Sequence, residues 1–539
     1  MLKEECAYEG CGLRPCDASG FCILHSPNPE KDSMLFQETL SERIKQSEDD
    51  TTVETINLEG VVFPPRMAWG GRIFRKNVSF KGARFIGPTD FSWVWFSENV
   101  DFSQGEFCGT ARFHLARFSK SAEFRAAHFS QEADFSSARF GNDTKSFIVA
   151  DFCQAQFLGD TDFSEAKFSS ITTFNEGRFH RAADFKQVQF LRGAAFIGAE
   201  FGGETAFDGT SFSDSAYFFD GRFRDNVSFR AASFSNKADF SGSTFQGALH
   251  FHKTIFPMFE GQGILDFRNV ILSQPENVYF QHVNLSRASF LCTDVRRVNF
   301  SSVTWAKREE LRLGWLPLFR EKVFAVYDHL TLMEKAPEER DANSCRLVES
   351  IYQQLRSNLE GGKQRIEAGD FHIGEMEMRR LNAETPVAYR CHLWLYRLFA
   401  LYGERYSRPL FYYLLFGASF AFLHVMFGPE AKDALGQHAA GTWGPSARHF
   451  FSTFSFWTYL WTPVLTVQLL LQIAKALLGW AFWEHYGMAF VTSVAILPLF
   501  QEASQPLSSV GILLRSLNLA VNVFFIGLAL VGLRRRFKR

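Results

Sequence analysis

The chain has 539 residues, room for several domains, and a formal net charge of −1, which excludes both a globally basic nucleic-acid footprint and an acidic decoy. Aromatic content is lopsided: 62 Phe against 13 Tyr and 11 Trp. Of the nine cysteines, Cys6, Cys11, Cys16 and Cys22 crowd the start, and no hydrophobic run precedes them, so reduced cytosolic thiols are expected rather than disulfides.

Residues 1–35 form the first predicted element. Cys6 and Cys11, then Cys22-x2-His25, supply three thiolates and one imidazole, a tetrahedral donor set for structural zinc. A segment this short buries little core, and a metal would replace one. Cys16 is either a substitute ligand or a bystander, and the competing reading is a Cys-rich disordered tail. Phe36 to Gln46 carries a helical pattern, and the polar stretch SEDDTTVE links it to the next element.

From Phe80 to Phe256 phenylalanine recurs at steps of five and six, as in Phe102, Phe107, Phe113, Phe118 and Phe124, a true period of eleven. A small or β-branched residue usually sits two positions earlier, as in Ala111 before Phe113 and Thr161 before Phe163. Neither a helix nor a simple alternating strand has this spacing, whereas a stacked solenoid does. From Phe280 the step becomes a strict five through Leu285, Phe290, Val295, Phe300 and Trp305. Between positions 80 and 256 there are 18 Lys plus Arg and 21 Asp plus Glu, so no strongly acidic rod is present.

The strings "SRASF", "VRRVNF" and "DFSSARF" resemble the pentapeptide-repeat family, in a Phe-rich form, over residues 55–305. That resemblance implies a right-handed quadrilateral parallel β-helix with one short side per unit and the Phe or Leu pointing inward. It also implies a role in protein–protein interaction, and the Cys/His segment is similar to knuckles that precede some bacterial members. Imitation of DNA, known for strongly acidic members, is disfavoured by the balanced charge.

Residues 306–400 switch to helical periodicity and are expected to be a cap and linker. Leu347, Ile351, Leu355 and Leu359 share a face, and a second helix follows Gly361-Gly362. Asp370, His372, Glu375 and Glu377 on that second helix read as a solvated, salt-bridged surface.

Residues 409–533 are expected to be an α-helical transmembrane domain. Pro409–Phe427, Phe450–Ile473 and Leu507–Leu533 are long and apolar, and Met488–Phe500 makes either a fourth crossing or a re-entrant piece. Arg405, Arg408 and the basic tail Arg534–Arg536 place both ends of this domain in the cytoplasm by the positive-inside rule, giving four spans, or two plus re-entrant segments. A multi-pass protein of the bacterial inner membrane, with its N-terminal domains cytoplasmic, follows. Ser455, Thr458, Thr462 and Thr466 share one polar face, and Arg515, Asn518 and Asn522 another. Such residues either line a pore or bond helices, including those of a homo-oligomer. No TxGYG-like filter is present. No nucleophile–base pair, phosphate loop or paired acid site occurs, so an enzyme is not expected. The expected function is a membrane-anchored scaffold with an unidentified protein partner on the rod and no nucleic acid. A gated pore controlled by the rod is the alternative.

Overall fold

A computed structural model of the chain describes residues 5–9, 11–16, 19–65, 67–142, 148–257, 263–310, 321–336, 339–362, 364–427 and 509–538. It divides into two compact units, Met1–Arg312 with Arg320–Met378, and Leu313–Phe319 with Arg379–Arg539.

The first unit is built on a four-walled parallel solenoid of about eleven turns. Its first coil comprises β1 (Thr55–Asn57), β2 (Val62–Phe63), β3 (Met67–Ala68) and β4 (Ile73–Phe74), and β5 (Asn77–Ser79) starts the next by pairing in parallel with β1. Among the described residues the four walls contain 11, 10, 11 and 8 strands. Most strands are two residues long, with one side chain out and the other in: Phe on the second and fourth walls, mostly Ala, Thr or Val on the first and third.

The five-and-six beat has a local cause. After the Phe that follows the first and third walls, the chain makes a β-turn: Phe80 O accepts from Ala83 N, and Phe102 O from Gly105 N. The third residue of each turn has positive φ, +62° at Gly82 and +58° at Gln104, as a type II turn requires. These tight corners take the five-residue step, and the looser corners between them take six. The Asp one position before the Phe completes the turn, since Asp101 Oδ1 accepts from Ser103 N and Asp162 Oδ1 from Ser164 N, each at 2.7 Å.

Successive coils pair at 22-residue intervals, as with Val78 on Val100. The interval lengthens to 28 where Ala122 pairs with Ala150, so this coil carries six more residues, yet Phe124 still stacks on Phe152 at 4.8 Å. It shortens to 20 where Tyr279 pairs with Asn299, which is the strict-five stretch. Inside, rings one coil apart stack face to face: Phe85, Phe107 and Phe129 lie 4.7 and 4.6 Å apart. Columns of the first and third walls, opposite each other, meet edge to face, as Phe102 does with Phe113 at 5.6 Å and 82°.

Both ends of the column are covered, as unpaired strand edges require. At the start, helix α1 (Ser33–Asp49), N-capped by Asp32, buries Phe36, Leu40 and Ile44, with Phe36 edge-on to Phe63. Lys76 Nζ donates to the carbonyls of Ser47, Asp50 and Val53 and ties the end of this helix to the second coil. At the far end an antiparallel pair, Ala306–Glu310 with Glu321–Ala325, leads to α2 (Tyr327–Glu334), α3 (Ala342–Gly361) and α4 (Arg365–Leu381). Asn358 Nδ2 donates to Val295 O and Val298 O at 2.7 Å, and Asp328 accepts from Ser289 Oγ and Phe290 N.

Two sequence expectations for this cap need correction. The buried stripe of α3 runs through Cys345, Val348, Ile351, Tyr352, Leu355 and Leu359, with Leu347 at its margin. Asp370, His372, Glu375 and Glu377 are buried rather than solvated. Burial is offset by pairing: Arg356 Nη1 reaches Glu375 Oε2 at 2.6 Å and His372 Nδ1 at 2.9 Å, and Asp370 accepts from Phe324 N.

In the second unit, α5 (Val387–Ala400), α6 (Ser407–Phe427) and α7 (Ser509–Lys538) meet around Tyr412, Tyr413 and Phe525. Phe399 and Phe416 approach the Phe525 ring at 5.3 and 5.4 Å. Among the described residues no helix is long and apolar enough to cross a membrane. The expected spans at 450–473 and 488–500 lie outside the described residues.

Candidate metal centre

Cys6, Cys11, Cys22 and His25 converge at the start of the chain, all four buried, with their ligand atoms within 4.8 Å of one another. Two short returns of the backbone bring them together. Cys6 N donates to Leu13 O and Ala7 N to Gly20 O, closing the first return. A single turn follows, in which His25 N and Ser26 N both donate to Cys22 O, and it sets Cys22 and His25 side by side.

Cys11 Sγ lies 3.5 Å from Cys22 Sγ, and Cys22 Sγ lies 3.2 Å from His25 Nδ1. Cys6 Sγ lies 3.7 Å from the same nitrogen. All the cysteines are free, and a tetrahedral ion with ordinary Zn–S and Zn–N bonds would separate its ligands by roughly 3.6–3.8 Å. The donor set therefore fits a metal ion without rearrangement of the backbone.

The surroundings suit the same reading. His25 Nε2 faces Glu59 O at 3.0 Å, which leaves Nδ1 for the cluster and fixes the ring. Tyr8 stacks on His25 with centroids 4.2 Å apart. Gly60 makes that stack possible, because a Cβ there would lie 2.1 Å from the Tyr8 ring and its φ is +62°. Backbone N–H groups of Cys22 and Tyr8 point at Cys6 Sγ, at 3.2 and 3.5 Å. Burial opposes ionisation of Cys6, but those two donors, together with hydrogen bonds from the Cys22 and Cys11 thiols, hold its thiol below the ordinary value. Burial pushes the Cys22 thiol up to about 12, with Cys11 and Cys6 adding to the rise. Burial pulls His25 down, toward the neutral form a ligand must have, although the Glu59 carbonyl opposes it. A cation bound here would displace the Cys22 proton.

Cys16 stands apart, exposed, with its thiol donating to Phe21 O. The segment is also part of the rod's cap, which spacing alone did not reveal. Val62 N donates to Leu24 O, and Lys31 Nζ donates to the carbonyls of Leu24, Ser26 and Val62. Four protein donors would leave an ion held here no open position for substrate.

Ser455, Thr458, Thr462 and Thr466 lie outside the described residues. Arg515 belongs to α7, as do Asn518, half-buried, and Asn522, buried, one helical turn apart.

Comparison with known proteins follows the rod. The family model described as pentapeptide repeats (9 copies) matches residues 73–116. No curated protein and no solved structure matches the chain. What this chain is similar to is therefore the pentapeptide-repeat family, in the four-walled solenoid.

Proposed function

We propose that this protein is a non-enzymatic scaffold that presents its rod to a protein partner, held by its C-terminal helices at a bacterial inner membrane with the N-terminal parts in the cytoplasm. The observation that carries the scaffold reading is the rod itself, whose walls offer files of outward side chains in fixed register around a core of Phe. Among the described residues the single group able to hold a metal is the buried Cys3His set. Zinc is the ion we assign to it, because a closed Cys/His set is the usual structural zinc arrangement.

Membrane attachment rests on the tail. Pro409–Phe427 contains one His and no formal charge. Large apolar side chains of α6 and α7 are exposed, among them Leu410, Leu414, Leu517, Val523, Phe524 and Leu530. Asn518 and Asn522 one turn apart on α7 support hydrogen bonding between helices, or between copies of the chain, in preference to a conducting path.

Membranes carrying the full chain or a form without residues 55–305 would be washed with carbonate, solubilised and passed over an affinity resin. The chain should stay with the membranes, and a protein should co-purify only when the rod is present. Release by carbonate would refute the anchor. Ion conductance in reconstituted bilayers, abolished by Asn518→Leu with Asn522→Leu, would replace the scaffold by a pore.

A further inference from the structure

The outward positions of the fourth wall form one file: Ile73, Trp95, Arg117, Arg139, Lys167 and Gln189 stand in register on successive coils. Strands in such a file are ~4.8 Å apart, so Arg117 and Arg139 are like charges set directly beside each other. Both are exposed, and among the described residues neither has an ion pair or a side-chain hydrogen bond. The second wall is built differently. There Arg84 meets Glu106 and Arg222 meets Glu200, each at 3.1 Å, so neighbouring coils alternate in sign.

Among the described residues, two acids beside the fourth wall are engaged elsewhere: Glu98 pairs with Lys120, and Glu165 accepts from Ser137 Oγ. Exposed Trp93 and Trp95, 61% and 40% accessible, stand at one end of the file beside exposed Ile73. The flanking walls are mostly acidic, although Arg112 stands between Asp90 and Asp134 in the third-wall file. Asp101, Glu123 and Asp151 stack on the first wall, and Asp134, Asp162 and Asp184 on the third. Those aspartates already serve the backbone turns, as Asp134 does in accepting from Ser136 N, whereas the two guanidinium groups serve nothing in the fold.

We propose that this strip is the docking site for an acidic protein segment that ends in an apolar or aromatic side chain. Its carboxylates would meet the forked guanidinium groups of Arg117 and Arg139, and its apolar end would lie on Trp93, Trp95 and Ile73. The narrowness of the strip decides the class of partner. Nucleic acid broader than one wall would press its phosphates against carboxylates on both sides, while a single peptide segment fits between them. This assignment rests on the scaffold reading and names the wall and the chemistry that the partner must match.

The test uses the purified full chain and fluorescence anisotropy with a fluorescein-labelled oligoglutamate peptide ending in Phe-Leu. Binding should weaken with salt, fall at least tenfold in the Arg117→Glu/Arg139→Glu variant, and fall severalfold in Trp93→Ala/Trp95→Ala with the salt dependence kept. Arg178→Glu on the second wall should leave it unchanged, and circular dichroism melting should be the same for all forms. No binding, or equal binding by the double arginine variant, overturns the proposal. So does tighter binding of an oligothymidylate of equal length, which would make the strip a nucleic-acid surface. If the rod-dependent partner from membranes still co-purifies with the double arginine variant, the scaffold reading stands and only the fourth-wall assignment falls.

Discussion

Replacing Phe174 by Ala tests whether the rings are the structural core of the rod. Phe174 is fully buried, stacked on Phe152 at 4.8 Å and on Phe196 at 4.9 Å, and edge-on to Phe163 and Phe185 at 5.3 and 5.6 Å. Truncating a buried Phe to Ala generally costs about 3–5 kcal/mol, and each stacked pair adds roughly 0.5–1.5 kcal/mol beyond area burial, so the upper part of that range is expected. Phe300 provides the internal control, because it stacks on one ring only, Phe280 at 5.6 Å, and sits in the last coil. Its truncation should cost less by about one stacking energy, roughly 0.5–1.5 kcal/mol. Each coil touches only its neighbours, so the loss should be local rather than spread over the column. Hydrogen exchange of the full chain, read by mass spectrometry, measures this directly. Amides around Thr172–Phe174 and the coils stacked on them should exchange roughly a hundred- to several-thousand-fold faster in Phe174→Ala, since ~1.4 kcal/mol corresponds to tenfold. A change below about tenfold, or equal effects from Phe174→Ala and Phe300→Ala, would refute the stacked-ring account.

Three further outcomes are expected. Metal analysis of the purified chain should find one zinc per molecule, lost in Cys22→Ser; because the metal-free Cys22 thiol is pushed up to about 12, loading at neutral pH must release its proton, and affinity should fall as pH falls, checked by competition titration between pH 6 and 8. Gly60→Ala should drive Tyr8 off His25 and weaken metal binding by roughly tenfold or more, the usual effect of disturbing a ligand's support, in the same titration. Burial raises the Asp328 carboxyl from 3.8 to about 6, so the folded cap holds a proton that the unfolded chain does not between those values. Stability therefore rises as pH falls through about 6 and levels off below about 4, by about 3 kcal/mol. Asp328→Asn should abolish that difference, read as exchange of the Phe290 amide across the same range, and an unchanged pH profile in the variant would exclude Asp328 as its source.

Much of the rod is legible in the sequence because one ring per short strand is a covalent fact with a geometric consequence. The eleven-residue beat gives two walls, two beats give a coil, and the change to fives at Phe280 appears in space as the shorter interval between Tyr279 and Asn299. The Cys/His cluster is legible for a similar reason, since Cys22-x2-His25 fits one turn and the other two thiols have limited reach. What stays hidden is whatever depends on a partner distant in sequence. Nothing local distinguishes Gln104, Leu115 or Ala126 as positive-φ positions, because the turn between stacked coils imposes that conformation. The charged stretch around His372 looks solvated until Arg356, on the preceding helix, is seen to lie against it. Arg117 and Arg139 look like ordinary surface residues until the 22-residue register puts one directly above the other.

That register also sets a scale. Each complete coil adds ~4.8 Å of height and none of width, so the rod can lengthen or shorten only in fixed increments, like a graduated rule. Excising 22 residues from its regular part would bring every remaining file back into line. Excising 11 would preserve the sequence rhythm yet turn all later strands halfway around the axis, carrying the fourth-wall file of a later coil onto the second.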